Sequence, residues 1–502
     1  MEQRKSGAIL AYLNIFLKNS ISLIYTPFLI RFLGDAEYGI YQLAIQVVSM
    51  LSLLALGFSG AYVRFYWKLK KTQPESIAAL NGLYLVIYGI ISIVSLVLGS
   101  LLIFLIPEFF GRTFSLHEIQ ITKILFAIMI LNIALTFPSS VFDSYIIANQ
   151  QFKFQQTRAL LGTILQPILT IPMLFLGFGA ISILSVQTGI TVIFLLINIR
   201  FALRRLKMKF VFKNFPSGLL RSLFIFSSFL LINDLVDIVN NNVPSMIVGS
   251  IVGAQAVAVY GIAVQIRTMF IQLSLALSTV FIPRINEIVN FRDDKDELLN
   301  LMVKVGRFQL LLLSTIYCGF IALGVYFIEL WAGQGFYDAY IMVLLMIFPV
   351  LIPLSQNLGI EIQRAKNLHQ FRSWILGLFA ILNLIITVFS INKFGVIGAV
   401  FGYVISVGIG NGLIINIYNH KKVGLNMIIY WKKVLNTLLP GIVGLLTISL
   451  FKIYIPIKSI GVFLGYGLVY LIIVGVVAWM WTLNYNEKSM ILGRLVKSNG
   501  KN

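Results

Sequence analysis

Two cations stand where a charge is expensive. Lys18 and Arg267 each fall inside a long apolar run, and a charge at the centre of a membrane helix costs at least about 2.5–3.5 kcal/mol on insertion scales. A group held at that depth faces a cavity or a partner. Asn14, Ser22 and Tyr25 recur at helical spacing around Lys18, so one side of its helix is polar. A compact ammonium in a low-dielectric site attracts an anion strongly; the competing reading is a lysine paired with an acid for helix docking. Arg267 has Tyr260, Ser274 and Ser278 near its face, and a planar guanidinium can grip phosphate oxygens two at a time. Arg64 reads equally as a third member of this set or as a plain topological anchor.

A second group is polar rather than basic. Asn233, Asp234, Asp237, Asn240, Asn241 and Asn242 precede Pro244, and positions 233, 237, 240, 241 and 244 share one helical face. Such groups could neutralise Lys18 or Arg267, bind a coupling proton or sodium ion, or hydrogen-bond hydroxyls; structural charge pairing of Asp234 and Asp237 carries equal weight. Gln42, Gln46 and Ser49 form a short stripe suited to sugar hydroxyls, though glutamine in membrane helices also joins neighbours. Asp35 and Glu37, at the outer end of the first hairpin, read as solvated loop acids before they read as a gate. Pro27 and Pro283 are candidate kinks, fixed or moving.

The elements that position these residues are membrane helices. The chain is 59% hydrophobic and only 11% charged, against about 25% charged in soluble domains. Runs of roughly 20 apolar residues, enough to cross a hydrocarbon core, lie near 8–30, 39–63, 81–106, 124–142, 159–176 and 181–200. A second set lies near 222–247, 257–283, 305–329, 340–361, 373–391 and 397–418, with a last pair near 434–454 and 460–483. The fold class is therefore all-α and polytopic, with about 14 transmembrane helices. The first run follows Arg4 and Lys5 and is longer than a signal-peptide core, so it reads as a retained span.

With residues at span ends counted in the adjoining segment, 31 of the 39 Lys and Arg fall on the side of the N-terminus, six on the other side, and only Lys18 and Arg267 well within spans. Both termini are thus expected in the cytoplasm. The net charge of +21 is explained by topology and not by nucleic acid. Cys318 reads as a small core residue; His117, His369 and His420 are too scattered for a metal cluster, and no cofactor is expected. "RDDKDE" (Arg292 to Glu297) contains the D-x-D spacing of metal-dependent sugar transferases, but it has no soluble domain around it and reads as a solvated loop. The short outer segments leave no room for a polymerase active site.

The chain also repeats itself. Phe32 to Gln46 matches Ile251 to Gln265 at an offset of 219, with Gly34/Gly253, Tyr41/Tyr260, Ala44/Ala263 and Gln46/Gln265 coincident. Gln151-Phe152 and Gln370-Phe371 recur at the same offset, and Phe178-Gly179 and Phe394-Gly395 at 216. The expected organisation is an N-terminal lobe over 1–210, a pseudo-symmetric C-terminal lobe over 211–425, and an accessory helix pair with a cytoplasmic tail over 426–502. Six spans per lobe give parallel repeats about an axis along the membrane normal.

"TPFLIRFLGDAEYGIYQLAI", "VAVYGIAVQIRTMFIQLSLALSTVFIPRINEI" and the six-plus-six-plus-two layout resemble the Wzx-like oligosaccharide flippases of the multidrug/oligosaccharidyl-lipid/polysaccharide (MOP) superfamily over essentially the whole chain. The resemblance implies a V-shaped pair of bundles with spans 1, 2, 7 and 8 around a cavity, an undecaprenyl-pyrophosphate-linked sugar as cargo, and alternating access. The peptidoglycan-precursor flippases of the same superfamily use cationic residues in spans 1, 2 and 8, and that likeness falls on Lys18, Arg64 and Arg267. The chain then reads as a transporter and not an enzyme, in a bacterial inner membrane, working beside a polysaccharide polymerase and glycosyltransferases. Peptidoglycan-precursor flippases, for which fourteen spans are typical, are one alternative. Cation-coupled drug exporters, with acid-lined cavities, are another.

Overall fold

The computed structural model describes residues 2–55, 58–213, 235–236, 238–292, 294–485 and 487–489. Every regular element among them is helical. In chain order the principal helices are α1 (Glu2–Ser49), α2 (Phe58–Thr72), α3 (Ile77–Phe110), α4 (Leu116–Ala148), α5 (Phe152–Phe175) and α6 (Gly179–Arg200). They continue with α7 (Val243–Ile251), α8 (Ala254–Ser278), α9 (Ile282–Phe291), α10 (Lys295–Trp331), α11 (Tyr337–Ser355) and α12 (Asn357–Ala365). The last are α13 (Gln370–Phe394), α14 (Met427–Val434), α15 (Leu439–Tyr454) and α16 (Ile460–Val477).

Eleven helical stretches among the described residues are long and apolar enough to cross a membrane, so the chain is a multi-pass membrane protein. Two of them, Leu13–Thr72 and Gln370–Val423, are 60 and 54 residues long, well beyond the roughly 20 residues of one crossing. The first is broken at Gly34 (φ 73°, ψ 168°), the boundary between the expected first and second spans. The second turns at Gly395 (φ 60°). The expected span near 222–247 lies largely outside the described residues.

The repeat found in the sequence has a backbone counterpart. Gly253, the partner of Gly34, also has positive φ (120°), and Gly179 and Gly395 have φ of 55° and 60°. Glycine takes positive φ at the least steric cost, so the repeated glycines stand at repeated corners. Gln151 and Gln370 likewise stand at the starts of α5 and α13.

Local chemistry sets the other ends. Ser115 and Glu118 form a reciprocal capping box on α4. Asp294 caps α10, its carboxylate accepting from the N–H groups of Asp296 (2.8 Å) and Glu297 (3.1 Å). That is the role of the D-x-D segment here. Glu37 is not a solvated loop acid: Oε1 accepts from Ala180 N–H at 2.6 Å, placing a carboxylate on the N-terminus of α6. Pro27 lies within α1, while Pro283 occupies the first turn of α9, where its missing N–H breaks no helical bond.

The described residues group into two compact units, Met1–Gly261 with Ile391–Val396, and Ile262–Ser390 with Ile397–Asn502. The first has an aromatic core where α2, α3 and α4 meet: Tyr62 and Tyr84 pack edge to face at 4.8 Å, and Tyr62 donates to Asn81 Oδ1 at 2.5 Å. In the same unit a Cβ at Gly39 would collide with the Ala254 carbonyl, so this small residue lets α1 and α8 approach closely. The second unit packs α10 against α15 and α16 through Cys318, Ala322, Ile448, Tyr466, Tyr470 and Val474. Tyr470 donates to the Thr315 carbonyl at 2.6 Å. Cys318 is the small core residue its surroundings suggested.

Candidate functional site

Arg267 is 2% exposed. Its guanidinium carbon lies over the Tyr403 ring, 4.4 Å from the centroid, and Tyr403 is itself buried. A desolvated cation on an aromatic face gains about 2 kcal/mol, which offsets only part of the cost of taking a guanidinium out of water. The ring holds the group in place; the N–H edge is the part of a guanidinium that addresses oxygen atoms. Tyr260 is fully buried.

The two serines expected beside Arg267 do other work. Gln309 Nε2 on α10 donates to Ser278 Oγ at 2.7 Å and to the oxygens of Ser274 at 3.1 Å. Asn357 donates to Ser278 at 3.2 Å, and Ser274 donates to the Leu354 carbonyl at 3.2 Å. They join α8 to α10, α11 and α12. Gln309 went unnoticed in sequence because one amide in an apolar run has no local signal.

In the first unit Lys18 is exposed on α1. Asn14, one turn away, accepts from Thr163 of α5 at 3.0 Å and Tyr25 is partly buried, so part of the polar stripe is a seam between helices. Gln42 donates to Tyr38 Oη at 2.6 Å. Gln46 Oε1 accepts from Ser245, and Asn242 donates to the Gln46 carbonyl (2.9 Å) and to Ser49 Oγ (2.7 Å). The structure thus brings the Gln46 stripe onto the residues around Pro244, as an interhelical network. Asn241 is partly buried beside it, and Arg64 is exposed on α2. Asn233, Asp234 and Asp237 lie outside the described residues.

Two ionic clusters escaped the sequence reading. Arg307 lies inside α10: it is 7% exposed and grips Glu487 through two bonds, Nε to Oε1 at 2.7 Å and Nη2 to Oε2 at 3.0 Å. It also donates to the carbonyls of Lys433 (2.7 Å) and Thr482 (2.6 Å). Burial opposes ionisation of Glu487, but the Arg307 guanidinium and the Asn484 N–H hold its carboxyl below the usual range. Arg158 of α5 pairs with Asp143 of α4 at 2.6 Å, and Asn198 of α6 bonds to both, reaching Asp143 at 3.2 Å. Arg307 follows Lys304 by one turn and so looks like the end of a basic run, and its acid is 180 positions away.

A family model described as polysaccharide biosynthesis protein matches residues 28–342. No curated protein matches the chain. Among solved structures, the lipid II flippase MurJ in an inward closed conformation is 18% identical, with 98% of this chain and 99% of that one covered and a TM-score of 0.73. An inward-facing multidrug resistance MATE family transporter of the MOP superfamily is 12% identical over 82% and 94%, TM-score 0.59. A mutant of the Vibrio cholerae MATE transporter VcmN is 16% identical over 86% and 99%, TM-score 0.55. At these identities the likeness establishes the fold.

Proposed function

Because the chain belongs to the polysaccharide biosynthesis protein family, we propose that it is a flippase moving a polyprenyl-pyrophosphate-linked oligosaccharide from the cytoplasmic to the outer leaflet of a bacterial inner membrane. The observation that carries this reading is Arg267, a buried guanidinium at membrane depth inside the family match. The cargo head is anionic and rich in hydroxyls, and cannot enter bare hydrocarbon without losing its hydration.

In this proposal Arg267 and Lys18 hold the pyrophosphate, with Arg64, Asn14, Tyr25, Gln42 and Gln46 near the sugar path. The polyprenyl tail stays in lipid, and alternating access of the two lobes moves the head across. Asp234 and Asp237, with Asn233 and Asn241, re-pair the cations on release or take up a coupling ion. Both termini face the cytoplasm, where glycosyltransferases supply the cargo; a polymerase consumes it outside. The overall likeness to the lipid II flippase, which extends through the last helix pair, favours peptidoglycan precursor as the second reading.

The test is a leaflet-accessibility assay in proteoliposomes, with a defined lipid-linked oligosaccharide and, separately, lipid II. Transport of the oligosaccharide by wild type, and its loss in both Arg267→Ala and Lys18→Ala, supports the proposal. Transport undiminished when both cations are neutralised would sink it, and transport of lipid II alone would install the second reading.

A further inference from the structure

A cleft of about 800 Å³ opens in the second unit between the start of α10, the end of α14 and the segment after α16. That size suits a small ligand or a headgroup. Lys304 and Arg307 come from α10, Lys432 and Lys433 from the last turn of α14, and Glu487 and Asn484 from the chain that follows Thr482. Four cations therefore face one carboxylate, and that carboxylate is already held by Arg307. The same arginine fixes the walls: it bonds Glu487 on one side and the Lys433 and Thr482 carbonyls on the others. Lys304, Lys432 and Lys433 are exposed, with ammonium groups available to a ligand.

The chain beside the cleft has the composition of a segment at headgroup depth. Trp479 (38% exposed), Trp481 (62%) and Tyr485 (86%) precede Glu487 in sequence, and aromatic residues of this kind collect at the membrane–water interface. The apolar run of α10 begins directly beyond Lys304. A basic pocket beside membrane helices, with such aromatics close by in sequence, fits a phosphate carried by a lipid better than one free in water.

We propose that this cleft binds the phosphate of an anionic membrane phospholipid, as a site separate from Arg267. Lys432, Lys433 and Lys304 contact the phosphate, and Arg307 and Glu487 hold the walls. A lipid seated there would brace the last helix pair against α10.

The test uses the purified full chain in detergent, titrated with phosphatidylglycerol or phosphatidylcholine, with bound lipid counted by native mass spectrometry. Wild type is expected to retain phosphatidylglycerol in preference, and Lys432→Gln/Lys433→Gln to weaken that retention about tenfold. Lys421→Gln/Lys422→Gln removes the same charge outside the cleft and should leave retention unchanged. Lys304→Gln repeats the test from a different helix, with a smaller loss in the same direction. Equal losses in both double variants, or no preference for phosphatidylglycerol in wild type, would overturn the site. Inorganic phosphate separates the sources: if it binds the cleft lysines while phosphatidylglycerol does not, the ligand is a free anion and the lipid proposal fails.

Discussion

Arg307 and Arg267 are both buried arginines of the second unit, and they are held in different ways. Arg307 meets a carboxylate through two parallel bonds and two backbone carbonyls besides, so four of its contacts are fixed protein oxygens. Arg267 lies on the Tyr403 ring, which holds a guanidinium by its face. The first arrangement suits a lock that joins α10 to α14 and the chain after α16. The second, in the function proposed above, holds the cation that meets the pyrophosphate of the cargo. Burial alone does not separate the two.

The lock should break first and hardest. Removing one partner of a buried pair leaves the other charge uncompensated, at about 3–5 kcal/mol. Arg307→Met should therefore lower the unfolding midpoint sharply, whereas Arg307→Met/Glu487→Leu should recover much of the loss. Thermal unfolding in detergent, run as a double-mutant cycle, reads this. If the double variant is no better than the single, the carbonyl contacts rather than the carboxylate form the lock.

Arg267 should behave in the opposite sense. Arg267→Ala is expected to cut flipping about 100-fold, equivalent to about 2.7 kcal/mol, while moving the unfolding midpoint less than Arg307→Met does. A midpoint loss as large as that of Arg307→Met, with flipping otherwise intact, would make Arg267 a second lock and erase the contrast. Arg267→Lys keeps the charge and loses the planar fork, and should cost about tenfold in flipping. Equal rates for Arg267→Lys and wild type would mean that charge alone matters there.

What could be read from the chain follows the range of the interactions. Helices, the break at Gly34 and the repeat rest on local composition and on a fixed offset, so Gly34/Gly253 and Gly179/Gly395, all at positive φ, are legible in the chain itself. Cys318 was legible for the same reason. Helical spacing puts Ser274 and Ser278 on a face but does not give the partner across from it; that partner, Gln309, sits on another helix. Glu37 was misassigned because its helix begins 143 positions later. Arg307 was hidden twice, by its nearness to Lys304 and by the distance in sequence to Glu487. Long-range polar pairs in apolar sequence have no periodicity to betray them.

The smallest effect tests the lock by pH. Glu487 is held below the usual carboxylate range when folded, and in the unfolded chain it titrates near the ordinary value of about 4.3. Between those two values the unfolded chain binds the proton that the folded chain refuses, so stability falls as pH drops through this window. The contribution is fully present above about pH 5. Wild type should therefore lose stability in acid faster than Glu487→Gln, which is less stable at pH 7 and has no carboxyl to protonate there. Comparing their unfolding midpoints from pH 7 to pH 3.5 gives converging curves if the ionised carboxylate is what holds Arg307. Parallel curves would place the lock in the Lys433 and Thr482 carbonyls, and the contrast with Arg267 would then rest on backbone oxygens instead of an ion pair.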